Sequence, residues 1–265
     1  MKFNADFLRR YIAEAPLALA FERALECRLY ARVTFERPIL DIGCGEGLFA
    51  EAAFAEQIDT GIDLDPAELA RARERGGYVE LIECEGARIP KADGAFRTVF
   101  SNSVLEHIQD VRAVLAEAHR LLAPGGRFYF TVPSSNFERY TWINLALETC
   151  RLTAMSLSFR KFFNRFWGHY HAYDPAEWAE LCRAAGFEVV EVFAYDPPRT
   201  CLLNTALTPF ALPSKFIKGA LNRWHLFPGL RRAIAGPLAS LAAPLLRGGE
   251  RAVHGGLVFV SLRKP

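Results

Sequence analysis

The stretch Asp41–Phe49, "DIGCGEGLF", follows the short apolar run Pro38–Leu40, "PIL". Three glycines, Gly43, Gly45 and Gly47, stand at alternate positions behind the acid Asp41. Glycine admits positive φ and lets backbone approach a ligand closely. The run before the glycines reads as a buried strand. The residues after them read as a helix whose first N–H groups are free. In an open α/β sheet, ligands sit beyond the carboxyl ends of the strands, at the switch point. The loop of Gly43, Cys44, Gly45 and Gly47 lies at such an end.

Asp63 closes a second predicted strand, at the distance where an acid can accept from both ribose hydroxyls. A dinucleotide site takes G-x-G-x-x-G, with the pyrophosphate on the helix N-terminus. Here the loop is G-C-G-E-G, and Glu46 puts a negative charge where a pyrophosphate would lie. That argues against NAD or FAD and for a cationic, adenosine-bearing ligand beside Asp41, Glu46 and Asp63. No G-x-x-x-x-G-K-[ST] occurs, which excludes a P-loop.

Working outward, helical spacing predicts a helix over 16–33 and another over 47–57. Strands are expected at 58–65, 78–84, 96–103, 127–134, 187–196 and 255–265. Helices are expected at 66–76, opened by Pro66 and closed by Gly76, at 110–126 and at 175–187. Strands alternating with helices mean a doubly wound, mostly parallel α/β sheet of seven strands. The last two strands lack an ordinary helix between them, so they are expected to pair antiparallel at the sheet edge.

The chain has 265 residues, 51% hydrophobic and 23% charged, with a formal net charge of +2. This is ordinary globular composition and by itself implies no nucleic-acid or membrane partner. Six scattered cysteines with no C-x-x-C pair argue against a zinc site or disulfide framework and suit a reducing cytoplasm. The apolar patch "APLALAF" near the N-terminus is short and flanked by acids, unlike a secretion signal.

Four motifs, "ILDIGCGEGLFA", "GIDLDP", "VFSNSVLEHI" and "LLAPGGRFYFTVPS", together resemble the class I S-adenosylmethionine-dependent methyltransferase family, in its small-molecule, type 11-like subgroup. The resemblance spans about residues 38–195 and the final strand. It implies a Rossmann-like sheet with the last strand antiparallel, and S-adenosyl-L-methionine as methyl donor. By position, Gly43, Gly45 and Gly47 would pass under the methionine moiety, and Asp41 would orient the loop and the donor's amino group. Asp63 would hold the ribose with Leu64 against the adenine, and Gly86, Ala87 and Arg88 would flank the adenine edge. Asn102, Ser103 and Val104 would line the methionine side, with His107 close behind. Two departures stand out: Gly86 and Arg97 occupy positions where the family usually has an acid.

A hydroxyl acceptor would benefit from a histidine base, whose pKa lies near neutrality. The candidates are His169 and His171, in "WGHYHAYDP". His107 reads as a packed helix-entry residue rather than a base and Glu106 as a local cap, while Tyr140 and Tyr173 are open between touching an acceptor and packing the cap. No third ligand accompanies H-x-H, so no metal is expected.

Two segments break the alternation. Within 134–174, residues 149–173 interleave Arg151, Arg160, Lys161 and Arg165 with Phe159, Phe162, Phe163, Phe166 and Trp167, and hold no acid. Between Asp196 and Glu250 there is no acid at all, while Arg199, Lys215, Lys218, Arg223, Arg231, Arg232 and Arg247 occur. Three readings of 197–251 compete: a packed helical cap over the acceptor, an interfacial element on an anionic membrane surface, and a nucleic-acid surface. The long apolar run disfavours nucleic acid. Ala233–Leu246 is too short, and too broken by Pro237 and Pro244, to span a membrane.

The expected organisation is a helical segment at 1–35, a methyltransferase core at 36–196 and 252–265, and a cap at 197–251. The expected activity is methyl transfer to a small-molecule or lipid-like acceptor, in the cytoplasm or at the inner face of a membrane. Alternatives are a catalytically silent donor-binding scaffold, a methyltransferase acting on nucleic acid, and an NAD-linked reductase. Oligomeric state leaves no mark on the sequence.

Overall fold

The computed structural model describes residues 1–265 except Asn222, Arg223 and His225. The side chains of Phe210, Leu212, Lys215, Phe216 and residues 219–221 are likewise outside the description. The expectations placed on Arg223 and on the Lys215 side chain therefore lie outside the described residues.

Two helices come first, α1 (Phe7–Glu14) and α2 (Leu17–Tyr30), followed by β1 (Ile39–Ile42), α3 (Leu48–Ala53), β2 (Ile58–Asp63), α4 (Pro66–Arg75) and β3 (Tyr78–Glu83). The chain continues with β4 (Phe96–Asn102), α5 (Val111–Leu121), β5 (Leu122–Pro133), α6 (Trp142–Thr149), α7 (Thr153–Trp167), α8 (Pro175–Ala184) and β6 (Glu188–Tyr195). Last come α9 (Pro198–Leu221), α10 (Pro228–Ala242) and β7 (Leu257–Arg263). The strand order is β3-β2-β1-β4-β5-β7-β6, with β7 antiparallel to both neighbours and the rest parallel.

The antiparallel pairing of β6 and β7 at the sheet edge is as expected. The last strand lies inside the sheet, and β6 takes the edge. Burial explains this: β7 is buried from Leu257 to Leu262, as a strand covered on both faces must be, whereas β6 exposes Glu188, Val190 and Glu191. Two helix ends are shorter than the periodicity predicts. α3 stops at Ala53 because Phe54 turns extended and packs against Phe3, Phe35 and Phe100. α5 stops at Leu121, ahead of Pro124 and a Gly125 with φ of 74°.

Side chains alternate across the sheet, so two cores form. On one face Phe100, Tyr129 and Phe259 meet α1, α2, α3 and Ala235 and Ala242 of α10. On the other, Val99, Phe128, Phe130 and Val260 meet α5 and α8, including the fully buried Trp178. The N-terminal helices and the cap therefore share one core beside the strand ends that carry the glycine loop. Among the described residues no helix is long and apolar enough to cross a membrane. All six cysteines are free thiols.

Candidate active site

The glycine loop closes on the end of β2. Gly43 and Cys44 both donate their N–H to the Ile62 carbonyl at 2.9 Å. Gly45 N–H donates to Asp63 Oδ2 at 2.8 Å, and Asp65 N–H to Asp63 Oδ1 at 3.0 Å. Asp63 is thus a clamp on the loop as well as a carboxylate with lone pairs to spare. Gly43 and Gly47 hold φ near 79° and 77°. A Cβ at Gly43 would fall 2.5 Å from Val104 Cγ1, so Val104 closes on the loop there. A Cβ at Gly45 would meet nothing within 4 Å.

Asp41 is buried and accepts from the Tyr78 hydroxyl at 2.6 Å. Burial raises its carboxyl to about 7. Its partner in the structure is therefore tyrosine. Leu64 is exposed at the rim, Ala87 is half-buried and Arg88 exposed. Gly86 passes close over Ile42 and Val114, where a Cβ would come within 3.3 Å of Ile42 Cγ2.

Glu46 requires a correction. Its charge is not open to a ligand: Lys218 lies at 3.3 Å, Arg71 at 3.9 Å and Arg75 at 4.0 Å, and Trp224 Nε1–H donates to it at 2.7 Å. The acid-free cap finds its counter-charges in the core and N-terminal helices. Arg232 likewise pairs with Glu14 at 2.9 Å, and Arg231 donates to the Ile12 carbonyl.

Asn102, the last residue of β4, and Ser103 after it meet a group that the sequence reading missed. Glu26 of α2 is fully buried and accepts from Asn102 Nδ2 (2.8 Å), Ser103 Oγ (3.0 Å) and the Tyr195 hydroxyl (3.1 Å). Arg23 donates to both Glu26 oxygens, at 2.8 and 2.7 Å, and to Ser103 Oγ. Ser103 holds φ of 52°, uncommon for a residue with a Cβ. The available signal was the run of charges Glu22, Arg23 and Glu26 within the otherwise apolar first part of the helix "LALAFERALECRLY".

Beside this network opens a cavity of about 350 Å³. Its apolar wall includes Leu19, Phe137, Phe163, Trp167, Trp224 and Leu257; its polar wall includes Glu22, Arg23, Ser103, Glu106, His107, His169 and Asn204. Burial raises the carboxyls of Glu22 and Glu106 to about 8. Burial, then the neighbouring His107, lowers His169 to about 4, and burial lowers His107 as well.

The two candidate histidines part here. His169 lines the cavity, and its Nδ1 faces Asn164 Oδ1 at 3.4 Å, so with the proton on Nδ1 the Nε2 lone pair is free. His171 is not among the lining residues. Its Nε2 lies against the carbonyls of Ile108 (2.9 Å) and Gln109 (3.3 Å), so it donates, and its Nδ1 accepts from the Tyr173 hydroxyl at 3.0 Å. Both nitrogens of His171 are spent holding the loop. Glu106, His107 and His169 bring a carboxyl oxygen and two ring nitrogens within 4.8 Å of one another, close enough to hold a cation between them. That triple replaces the H-x-H pairing considered from sequence.

Residues 5–192 match the family model described as a methyltransferase domain. The chain belongs to that methyltransferase family. It is 30% identical over 171 residues to the ubiquinone biosynthesis O-methyltransferase of Pseudomonas aeruginosa, covering 61% of this chain and 69% of that protein. The enzyme of that name from Aromatoleum aromaticum is 31% identical over 169 residues, covering 60% and 68%. Among solved structures, an S-adenosylmethionine-dependent methyltransferase of Thermotoga maritima aligns with TM-score 0.55 at 18% identity, over 94% of this chain and 92% of that one. The geranyl diphosphate C-methyltransferase of Streptomyces coelicolor, solved with S-adenosyl-L-homocysteine, aligns with TM-score 0.53 at 14% identity, over 94% and 81%.

The protein is an S-adenosylmethionine-dependent methyltransferase, and the residues present suit that donor. The loop leaves open space above Gly45, Asp63 keeps acceptor capacity, and the buried Asn102 Oδ1 has no partner.

The buried acids set a pH dependence. Asp41 and Asp196 (about 7) and Glu22 and Glu106 (about 8) hold their protons more tightly folded than unfolded, where carboxyls titrate near 4. Their contribution is complete at low pH and is lost as pH rises through the folded values. The lowered His107 and His169 act the other way, but only below about pH 6.5. The ligand-free protein is therefore expected to lose thermal stability from about pH 6.5 to 8, with a shallower slope in Glu22→Gln/Glu106→Gln. Melting scans across that window check this; a flat or rising Tm contradicts it.

Proposed function

We propose that this methyltransferase acts on a hydroxyl of a largely apolar small molecule seated in the cavity beside Ser103 and His169. The observation that carries the reading is that one apolar cavity is bordered both by the segment after β4 and by a histidine with a free lone pair. The O-methyltransferase names of the curated relatives support oxygen as the receiving atom.

In this reading Gly43, Cys44, Gly45 and Gly47 pass under the donor's methionine part, and Asp41 with Tyr78 steadies β1 beneath them. Asp63 holds the ribose, Leu64, Gly86, Ala87 and Arg88 border the adenine, and Asn102, Ser103 and Val104 border the methionine side, with His107 behind. When bound, the donor supplies a methyl group made electrophilic by its sulfonium. The chain's main task is positioning, which can be worth on the order of 7–11 kcal/mol. His169, uncharged at neutral pH, takes the hydroxyl proton at Nε2, beside the Glu106 carboxyl of the same cluster, which burial keeps protonated.

His169→Ala is expected to lower kcat by roughly 10²–10⁴-fold, the usual range for a positioned base. His171→Ala should leave kcat within a few fold and lower the Tm. Both are read as demethylated donor by mass spectrometry with a lipid and metabolite extract. Equal losses in the two variants, or no turnover with any fraction, would remove the reading and favour a donor-binding protein without catalysis.

An interfacial seat on a membrane gains support from exposed apolar side chains, not from the paired arginines. Phe162 and Phe166 of α7 stand exposed beside Lys161 and Arg165, as do Phe227 and the cap residues Leu230 and Leu241. Flotation with anionic liposomes is expected to carry the wild type and to lose Phe162→Ser/Phe166→Ser; a wild type left in the soluble fraction sinks the idea.

A further inference from the structure

We infer that the acceptor bears a second polar group, uncharged and able both to donate and to accept a hydrogen bond, and that Asn204 of the cap helix α9 recognises it. This rests on the reading of the cavity as the acceptor site. Asn204 lines the cavity and is 8% exposed, yet neither its Nδ2 nor its Oδ1 has a hydrogen-bond partner. Buried amides without partners are rare in folded proteins because each forfeits its bonds to water.

The other polar groups that line the cavity from the cap side are already engaged. Thr205 Oγ1 donates to the Tyr140 carbonyl at 2.9 Å, Thr208 Oγ1 to the Asn204 carbonyl at 3.1 Å, and the Tyr140 hydroxyl to the His254 carbonyl at 2.8 Å. Trp224 is turned onto Glu46. Asn204 is the exception among the described cap residues that line the cavity; Thr200 Oγ1, off the cavity on the same helix, is also buried and unpartnered. On the core side Glu106 Oε2 is also buried and unpartnered, but it lies in the cluster with His107 and His169, where the reacting hydroxyl is placed. The cavity thus has two unsatisfied polar positions on an apolar wall, one contributed by the core and one by the cap. α9 lies outside residues 5–192 matched by the family model, so the second position comes from beyond the matched methyltransferase domain.

A carboxamide presents one carbonyl and two N–H groups. A hydroxyl or a neutral amide edge satisfies both sides; a carboxylate leaves the carbonyl unmatched, and a hydrocarbon leaves everything unmatched. Sites built to bind a polar group reject analogues that lack it.

The test is calorimetric titration of the protein loaded with S-adenosyl-L-homocysteine, using octylphenol, octylcatechol and octylresorcinol as probes. At least one dihydroxy probe is expected to bind the wild type tenfold or more tightly than octylphenol. Asn204→Leu should erase that gain while keeping the octylphenol affinity within about twofold. Its ligand-free Tm should hold or rise, because an unpartnered buried amide has been replaced by an apolar side chain of similar size. No dihydroxy gain in the wild type, a gain that survives in Asn204→Leu, or unfolding of that variant would each overturn the inference. Because the loaded protein cannot transfer methyl, this outcome is separate from turnover: a probe preference without product would refute the proposed reaction and leave the role of Asn204 intact.

Discussion

Glu26→Ala is expected to lower the melting temperature by about 10 °C and to cost most of the activity of the protein that remains folded. Glu26 is fully buried and accepts from Arg23, Asn102, Ser103 and Tyr195. Taking away one partner of a buried ion pair leaves a desolvated charge, which costs roughly 3–5 kcal/mol. In a chain of this size each kcal/mol moves the Tm by about 2–4 °C. Glu22, at 3.6 Å from Arg23, is too far to replace the paired oxygens. Ser103 would also lose a bond that holds it in the left-handed region, so the wall between donor and acceptor would relax. Glu26→Gln keeps the shape and should fall between the two. A melting scan decides: a drop under about 2 °C for the alanine variant would mean that the network contributes little.

Asp63→Ala is expected to weaken donor binding about 100-fold with little change in Tm. Asp63 is half-buried, so its removal leaves no large void. It does remove the acceptor for Gly45 N–H and Asp65 N–H, and with it the clamp on the loop. In the proposed site it also removes the ribose contacts. Hydrogen bonds to charged groups are worth about 1.5–3 kcal/mol each, and about 2.7 kcal/mol is a factor of 100 in Kd. Asp63→Asn, which keeps a carbonyl acceptor, should lie between. Calorimetry with S-adenosylmethionine measures all three, and an unchanged Kd for the alanine variant would place the donor elsewhere.

Much of the core was legible because its signals are local. Pro66 and Gly76 bound α4 as capping chemistry requires, and Asp65 caps it through Ala67 N–H and Glu68 N–H. The glycine spacing and Asp63 marked the donor loop because strand, turn and helix N-terminus are contiguous in the chain. The place of β7 was not legible: a strand's neighbours are chosen by long-range pairing, and only its unbroken burial puts it between β5 and β6. The end of α3 was hidden in the same way, since Phe54 leaves the helix for aromatic rings far off in sequence.

The chain's local order alone determined that a glycine turn, an acid one strand later and alternating strands and helices would make a donor-binding sheet. Backbone conformation and short-range spacing suffice for that. Which charges are free and which are spent was decided only in three dimensions. Glu46 stood out as a lone negative charge until Lys218 and Trp224 of the cap closed on it, and Arg23 and Glu26 were unremarked until α2 laid them against Ser103. His169 and His171 look alike two residues apart, yet folding sets His169 on the cavity wall and spends both ring nitrogens of His171 on a loop. The reason is physical: a polar group acts through what desolvates and pairs with it, and here those partners come from segments distant in sequence.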